Sequence, residues 1–281
     1  MTTIEYSLFR VKFIKPVQRT FFGREAYSLT PSELLLDSIA GRPKAEIRPG
    51  HVWHIGNVTM FSKENGYFAI GRTTTATIEK FDETSGDFTE EEQETSPYTH
   101  CVFNAKIGII GIAKKAALAP TTMGISTKLL MLLSKVPFIE SANIEVQIPP
   151  IPDPNDFLAA IDKAWQVSKF SATFRGPNPF DADEHFQKPL AEYLNQANGD
   201  KGKAEIQGED LNKEVVKEVA KSTAATGNKA SARIRKSESS KQITVKMKEE
   251  PIRRVYDEAE HDPKKVIADL TKEYDGVRSN V

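Results

Sequence analysis

The sequence predicts an α+β or α/β protein built as two mixed-sheet units. Three observations point there. Helix-period and strand-period segments alternate along the whole chain, and breaker-rich stretches separate them. At 281 residues the chain exceeds one average domain. The alternation also has a natural seam, which divides an N-terminal α/β unit, residues 1–166, from a C-terminal α+β unit, residues 167–281.

The elements of the first unit follow in order. Ile4–Ile14 alternates apolar and polar residues and reads as a strand that stops before Pro16. Thr30–Ile39 reads as a helix, with Thr30 as N-cap, Pro31 at the first helical position, Glu33 completing a capping box and Gly41 as the stop. His51–Ser62 and Gly66–Phe81 form a hairpin across Glu64-Asn-Gly. Asp82–Glu94 reads as an exposed acidic loop. His100–Lys114 reads as one strand whose Ile107–Ile112 interior suits a buried position. A helix over Pro120–Ser134, a short strand at Asn143–Ile148 and a helix over Asn155–Gln166 complete this half.

The second unit opens with the strand Ser168–Arg175, ended by Gly176-Pro-Asn-Pro179. A helix over Asp183–Ala197, a strand at Lys203–Gly208, a helix over Asn212–Thr226, a ribbon over Asn228–Glu249 and a helix over Asp262–Asp275 follow. This order suggests a ferredoxin-like variant or another small α+β sandwich.

Composition excludes several classes. The apolar content of 39% is too high for a wholly disordered chain, and no apolar run approaches bilayer length. A single cysteine, Cys101, and an N-terminus without a basic and apolar leader fit a cytoplasmic protein. Enzyme templates are missing: Gly199-Asp-Lys-Gly-Lys203 has the wrong spacing for a phosphate loop, and there is no HExxH, CxxC or GxSxG motif. The five histidines are dispersed, so no metal site, cofactor or catalytic set is assigned. Two strand acids, Glu145 and Glu205, could serve a metal-dependent nuclease, but each is followed two residues on by Gln rather than Lys. Arg72, with Arg10 and Lys12 on a neighbouring strand, fits either an anion site or routine cross-strand pairing.

Charge is the informative property. The net charge of −1 conceals seven acids and no base between Asp82 and Glu94, against eight bases and one acid between Lys221 and Lys248. In the ribbon, Lys229, Ser231, Arg233 and Arg235 share one parity while Ala230, Ala232 and Ile234 take the other. On its second strand Lys246 and Lys248 share parity with Gln242 and Thr244, opposite Ile243, Val245 and Met247. Such a ribbon buries an apolar face and presents a basic one, and Arg253 and Arg254 extend the patch. Clustered cations of this kind suit a polyanion, and the shortage of aromatics favours duplex DNA backbone over stacked single strands. A soluble edge hairpin guarded by lysines explains the same pattern without a ligand.

From about residue 100 to 175 the chain resembles the RexA-like phage-exclusion (abortive infection) proteins of lambdoid prophages. The likeness rests on the Ile-rich strand Lys106–Ile112, the turn Ala119-Pro-Thr-Thr122 opening a helix, and the strand Glu145-Val-Gln-Ile-Pro149. A Pro/Asp break and a helix then lead into Phe170–Phe174. The resemblance implies a homodimeric, sequence-tolerant DNA-binding component of an anti-phage system that works with a separate effector partner. The reading of function is therefore a non-enzymatic nucleic-acid binder. A metal-dependent nuclease-type effector, or a protein-interaction subunit docking through the acidic segment, are the alternatives.

Overall fold

A computed structural model describes residues 2–14, 29–175, 186–199 and 201–278. Its architecture is mixed α+β, with helices packed on antiparallel sheets. The first half supplies β1 (Thr3–Arg10), β2 (Lys12–Ile14), α1 (Pro31–Ala40), β3 (Lys44–Arg48), β4 (His51–Met60), β5 (Asn65–Asp82), β6 (Asp87–Thr95), β7 (Tyr98–Asn104) and β8 (Ile109–Ala113). Then come α2 (Thr122–Ser134), α3 (Pro137–Ser141), β9 (Glu145–Gln147) and α4 (Asn155–Asp162). The second half supplies β10 (Gln166–Arg175), α5 (Gln187–Gln196), β11 (Lys201–Gln207), α6 (Lys213–Ala225), β12 (Ala230–Arg235), β13 (Ile243–Lys246), β14 (Arg253–Asp257) and α7 (Pro263–Arg278).

The larger sheet runs β14-β1-β8-β7-β5-β4-β3, with β6 paired to the far end of β5. Period-2 alternation sends Phe9, Cys101, Phe103 and Ile110 to one face, under α1 and α2, and Tyr6, Leu8 and Val102 to the other, under α7. α1 starts where its capping box requires: the Glu33 amide donates to Thr30 Oγ1, and Glu33 Oε2 accepts from the Thr30 amide. Gly111 is a glycine because α7 lies close to β8, where a Cβ would collide with Cδ1 of Leu270.

Four expectations change. The Ile-rich run is two antiparallel strands, not one. Asn104 Oδ1 accepts from the Lys106 amide at 3.1 Å, Gly108 takes φ +66°, and Phe103 then pairs with Ile110. The acidic segment is not a loop. It is the outer part of a β-hairpin, from Thr74↔Thr95 to Asp82↔Asp87, because alternating Thr and Ile on β5 and the facing pair Phe81–Phe88 support strand pairing despite the charge. The smaller sheet has the order β11-β10-β12-β13 within a βαβαββ chain, which differs from the βαββαβ order of a ferredoxin-like fold. Finally, the second unit is not closed: β14 leaves it to pair with β1, Thr3 opposite Asp257, and α7 packs on the larger sheet. The Gly176–Pro179 punctuation lies outside the described residues.

Candidate nucleic-acid interface

The smaller sheet holds the site. α4 and α6 bury one of its faces: Phe157, Ile161, Val216 and Ala220 pack against Val167, Phe170, Ala172, Ala232, Ile234 and Met247. The ribbon parity read from sequence is realised on β12, where Ala230, Ala232 and Ile234 are buried and Arg233 is exposed, and in part on the second strand, where Met247 is buried, Val245 half-buried and Ile243 40% exposed.

Register extends the basic face beyond the ribbon. Lys169 sits opposite Arg233 and Ser171 opposite Ser231, with the two serine hydroxyls 2.9 Å apart. On the other side of β10, Arg175 pairs with Lys201, Thr173 with Lys203 and Ser171 with Glu205. Directly opposed residues of an antiparallel pair point to one face. Lys169, Arg175, Lys201, Lys203, Lys229, Arg233, Arg235 and Lys246 therefore share the face away from the helices, whereas Lys248, just beyond β13, reaches Asp156 on α4. Side chains repeat about every 6.8 Å along a strand and about 4.8 Å between strands, which makes a grid of cations rather than a stripe. A depression of about 190 Å³ lies at its centre, between Lys169, Lys203, Ser231 and Arg233. None of the strand residues on this face is aromatic.

Not all these cations are equivalent. Glu205, the one acid among the four strands' residues on this face, is bound by Lys169, by Lys203 at 2.8 Å and by Gln207 at 3.0 Å. These donors hold its carboxyl down at about 2, so it remains an anion wired to two lysines. Lys229 is 2.5 Å from Glu249, and Lys248 is 2.7 Å from Asp156. Arg175, Lys201, Arg233, Arg235 and Lys246 have no acidic partner among the described residues.

The structure removes Arg253 and Arg254 from the patch. Both lie on β14 in the larger sheet, opposite Ser7 and Tyr6, and both are ion-paired, Arg253 with Glu250 at 3.8 Å and Arg254 with Glu273. Local charge density pointed to them, but the chain has changed sheets by that point. Conversely, sequence reasoning missed Lys169, Arg175, Lys201 and Lys203. The alternation Lys169, Ser171, Thr173, Arg175 was visible, yet only the register brings it beside the ribbon.

The other candidates stand elsewhere. Glu145 lies on β9, paired with β2, where its carboxylate accepts from Gln147 at 2.5 Å. Arg72 is on β5, which does not neighbour β1 or β2, and it donates to the Ala117 carbonyl at 3.1 Å. Cys101 is fully buried and unpaired, and burial pushes its thiol pKa up. The fold brings two of the dispersed histidines together: His100 accepts or donates at Tyr67 Oη, His261 does so at Tyr6 Oη, each at 2.8 Å, and their ring centroids are 5.3 Å apart. Among the described residues, no group of three or more His, Cys, Asp or Glu side chains converges as metal ligands would, and no helix is long and apolar enough to cross a membrane.

No family model matches the chain, and no curated protein does either.

Proposed function

We propose that this chain binds nucleic acid along the sugar-phosphate backbone, with duplex DNA as the favoured form, and that it does so without cleaving it. The observation that carries the reading is the helix-free face of the smaller sheet, on which eight cations surround a single, internally neutralised carboxylate. Mutual repulsion on such a face is relieved by a polyanion, and counterion release supplies the driving force. The Lys, Arg, Ser and Thr composition suits phosphate oxygens, and the lack of aromatic side chains disfavours base stacking. Sequence-tolerant binding follows from that chemistry. The anti-phage setting, the homodimer and the effector partner rest on the sequence resemblance over residues 100–175.

A gel-shift and nuclease assay with duplex DNA, duplex RNA and single strands, with and without magnesium, tests this reading. We expect retarded but uncut duplex, and loss of the shift when Arg233, Arg235, Lys246 and Lys248 are all changed to Glu. Unaltered binding by that variant would reduce the face to a solubility device. Magnesium-dependent cleavage would favour the nuclease alternative.

One observation favours a second reading, a protein-interaction subunit. The acidic hairpin continues beyond the larger sheet with nearly every residue of Glu79–Glu94 exposed, which gives a basic partner protein a free arm to hold.

A further inference from the structure

A cavity of about 720 Å³ opens between the two-stranded β2–β9 sheet, α2 and the smaller sheet, lined by Lys12, Gln147, Arg175, Lys201, Asn228 and Lys229 among others. Its size is that of a small-molecule site. Lys12 is its unusual member. It sits on β2 at 2% exposure, and no hydrogen-bond or ion-pair partner accompanies it among the described residues. An ammonium so placed is costly unless something accepts from it.

The charges around Lys12 make this worse rather than better. Burial, and then repulsion from Arg10 on β1 and Arg175 on β10, bring its pKa down to about 7. Lys201, opposite Arg175 across the β10–β11 ladder, adds a third cation to the lining. Two carboxylates also line the cavity, each bonded to another lining residue and neither to Lys12, Arg175 or Lys201. Glu145 accepts from Gln147, and Glu249 pairs with Lys229. Lys12, Arg175 and Lys201 thus line one cavity with no ion-pair partner of their own among the described residues.

We infer that this cavity binds a phosphate group, held by Lys12, Arg175 and Lys201, on a ligand of nucleotide size. A phosphate monoester carries close to two negative charges near neutral pH and several acceptor oxygens, which suits three donors better than a carboxylate does. The group can come from a free nucleotide or from the phosphorylated end of a nucleic-acid strand. Thr173, Arg175, Lys201 and Lys229 belong both to the cavity and to the basic face, so an end lying on that face reaches the cavity directly. The inference stands apart from the backbone-binding reading, because Arg233 and Lys246 do not line the cavity.

Binding should protonate Lys12, because the bound phosphate replaces its missing counter-charge. Isothermal titration at pH 8 in two buffers of different ionisation enthalpy, with a nucleoside monophosphate as probe, should show uptake of up to one proton per ligand. Lys12→Met should lose that uptake and weaken binding at least roughly tenfold, the scale of one charge-assisted contact. Arg175→Gln, at an exposed position, should weaken binding yet retain the uptake. Circular dichroism checks that both variants fold.

In a second arm, 5′-phosphorylated and 5′-hydroxyl oligonucleotides are compared. A preference for the phosphorylated end that Lys12→Met abolishes identifies a strand end as the source, whereas tight monophosphate binding without that preference identifies a free nucleotide. The inference is overturned if neither probe binds, or if folded Lys12→Met binds both as wild type does. The charge reversals at Arg233 and Lys246 should leave monophosphate binding unchanged, so failure at one site is distinguishable from failure at the other.

Discussion

Arg10 and Tyr274, at opposite ends of the chain, meet in the interior: the guanidinium donates to the phenol oxygen at 2.6 Å, and both side chains are fully buried. The guanidinium carbon also lies 5.5 Å from the centroid of the Tyr274 ring. This contact fastens α7 to the first strand and makes the last helix part of the larger sheet's packing. Changing Tyr274 to Phe keeps the ring but removes one acceptor from a buried charge. We expect a loss of about 1.5–3 kcal/mol in a urea titration. A change below about 0.5 kcal/mol, the usual range for surface substitutions, would mean that the hydroxyl contributes little there.

Glu205 separates binding from cleavage. Because its carboxylate occupies Lys169 and Lys203, Glu205→Gln frees two cations for phosphate. Duplex affinity should rise several-fold at low salt, and the salt dependence should steepen by up to about 1.8 in log–log slope. A nuclease that used Glu205 would behave in the opposite way, losing cleavage without gaining affinity.

The acidic arm has a physical signature of its own. A two-stranded ribbon exposed on both faces is marginally stable in water. Amide exchange should therefore be fast from Ile78 to Glu91, while Phe68 and Ile70, buried on the same strand, remain protected. Protection of the outer arm equal to that of Ile70 would indicate that another surface covers it.

Much of this fold was legible in the residues themselves. The Thr30 capping box, the Asn-Gly hairpin and the ribbon's alternating face depend on neighbours a few positions apart, and each emerged as the pattern implied. What escaped was non-local. Nothing near Arg253 announces that its strand pairs with β1, and nothing in Ser168–Arg175 says that its polar edge will lie beside Arg233. Charge also misled twice. Seven acids concealed strand pairing that Thr, Ile and Phe support, and two adjacent arginines resembled a patch that the chain's path divides. Lys12 gave no signal, since its significance arises from burial beside Arg10 and Arg175.

The most direct measurement of the central claim is the salt dependence of duplex binding for two paired-site variants. Arg233 and Lys246 have no acidic partner among the described residues, whereas Lys229 and Lys248 are held by Glu249 and Asp156. If the face binds phosphates, wild type should follow a log–log slope of roughly −4 to −5, from the five unpaired cations. Changing Arg233 and Lys246 to Gln should make the slope shallower by about 1.8, and changing Lys229 and Lys248 to Gln should alter it less. A wild-type slope near zero, or one that neither pair of substitutions changes, would contradict the account.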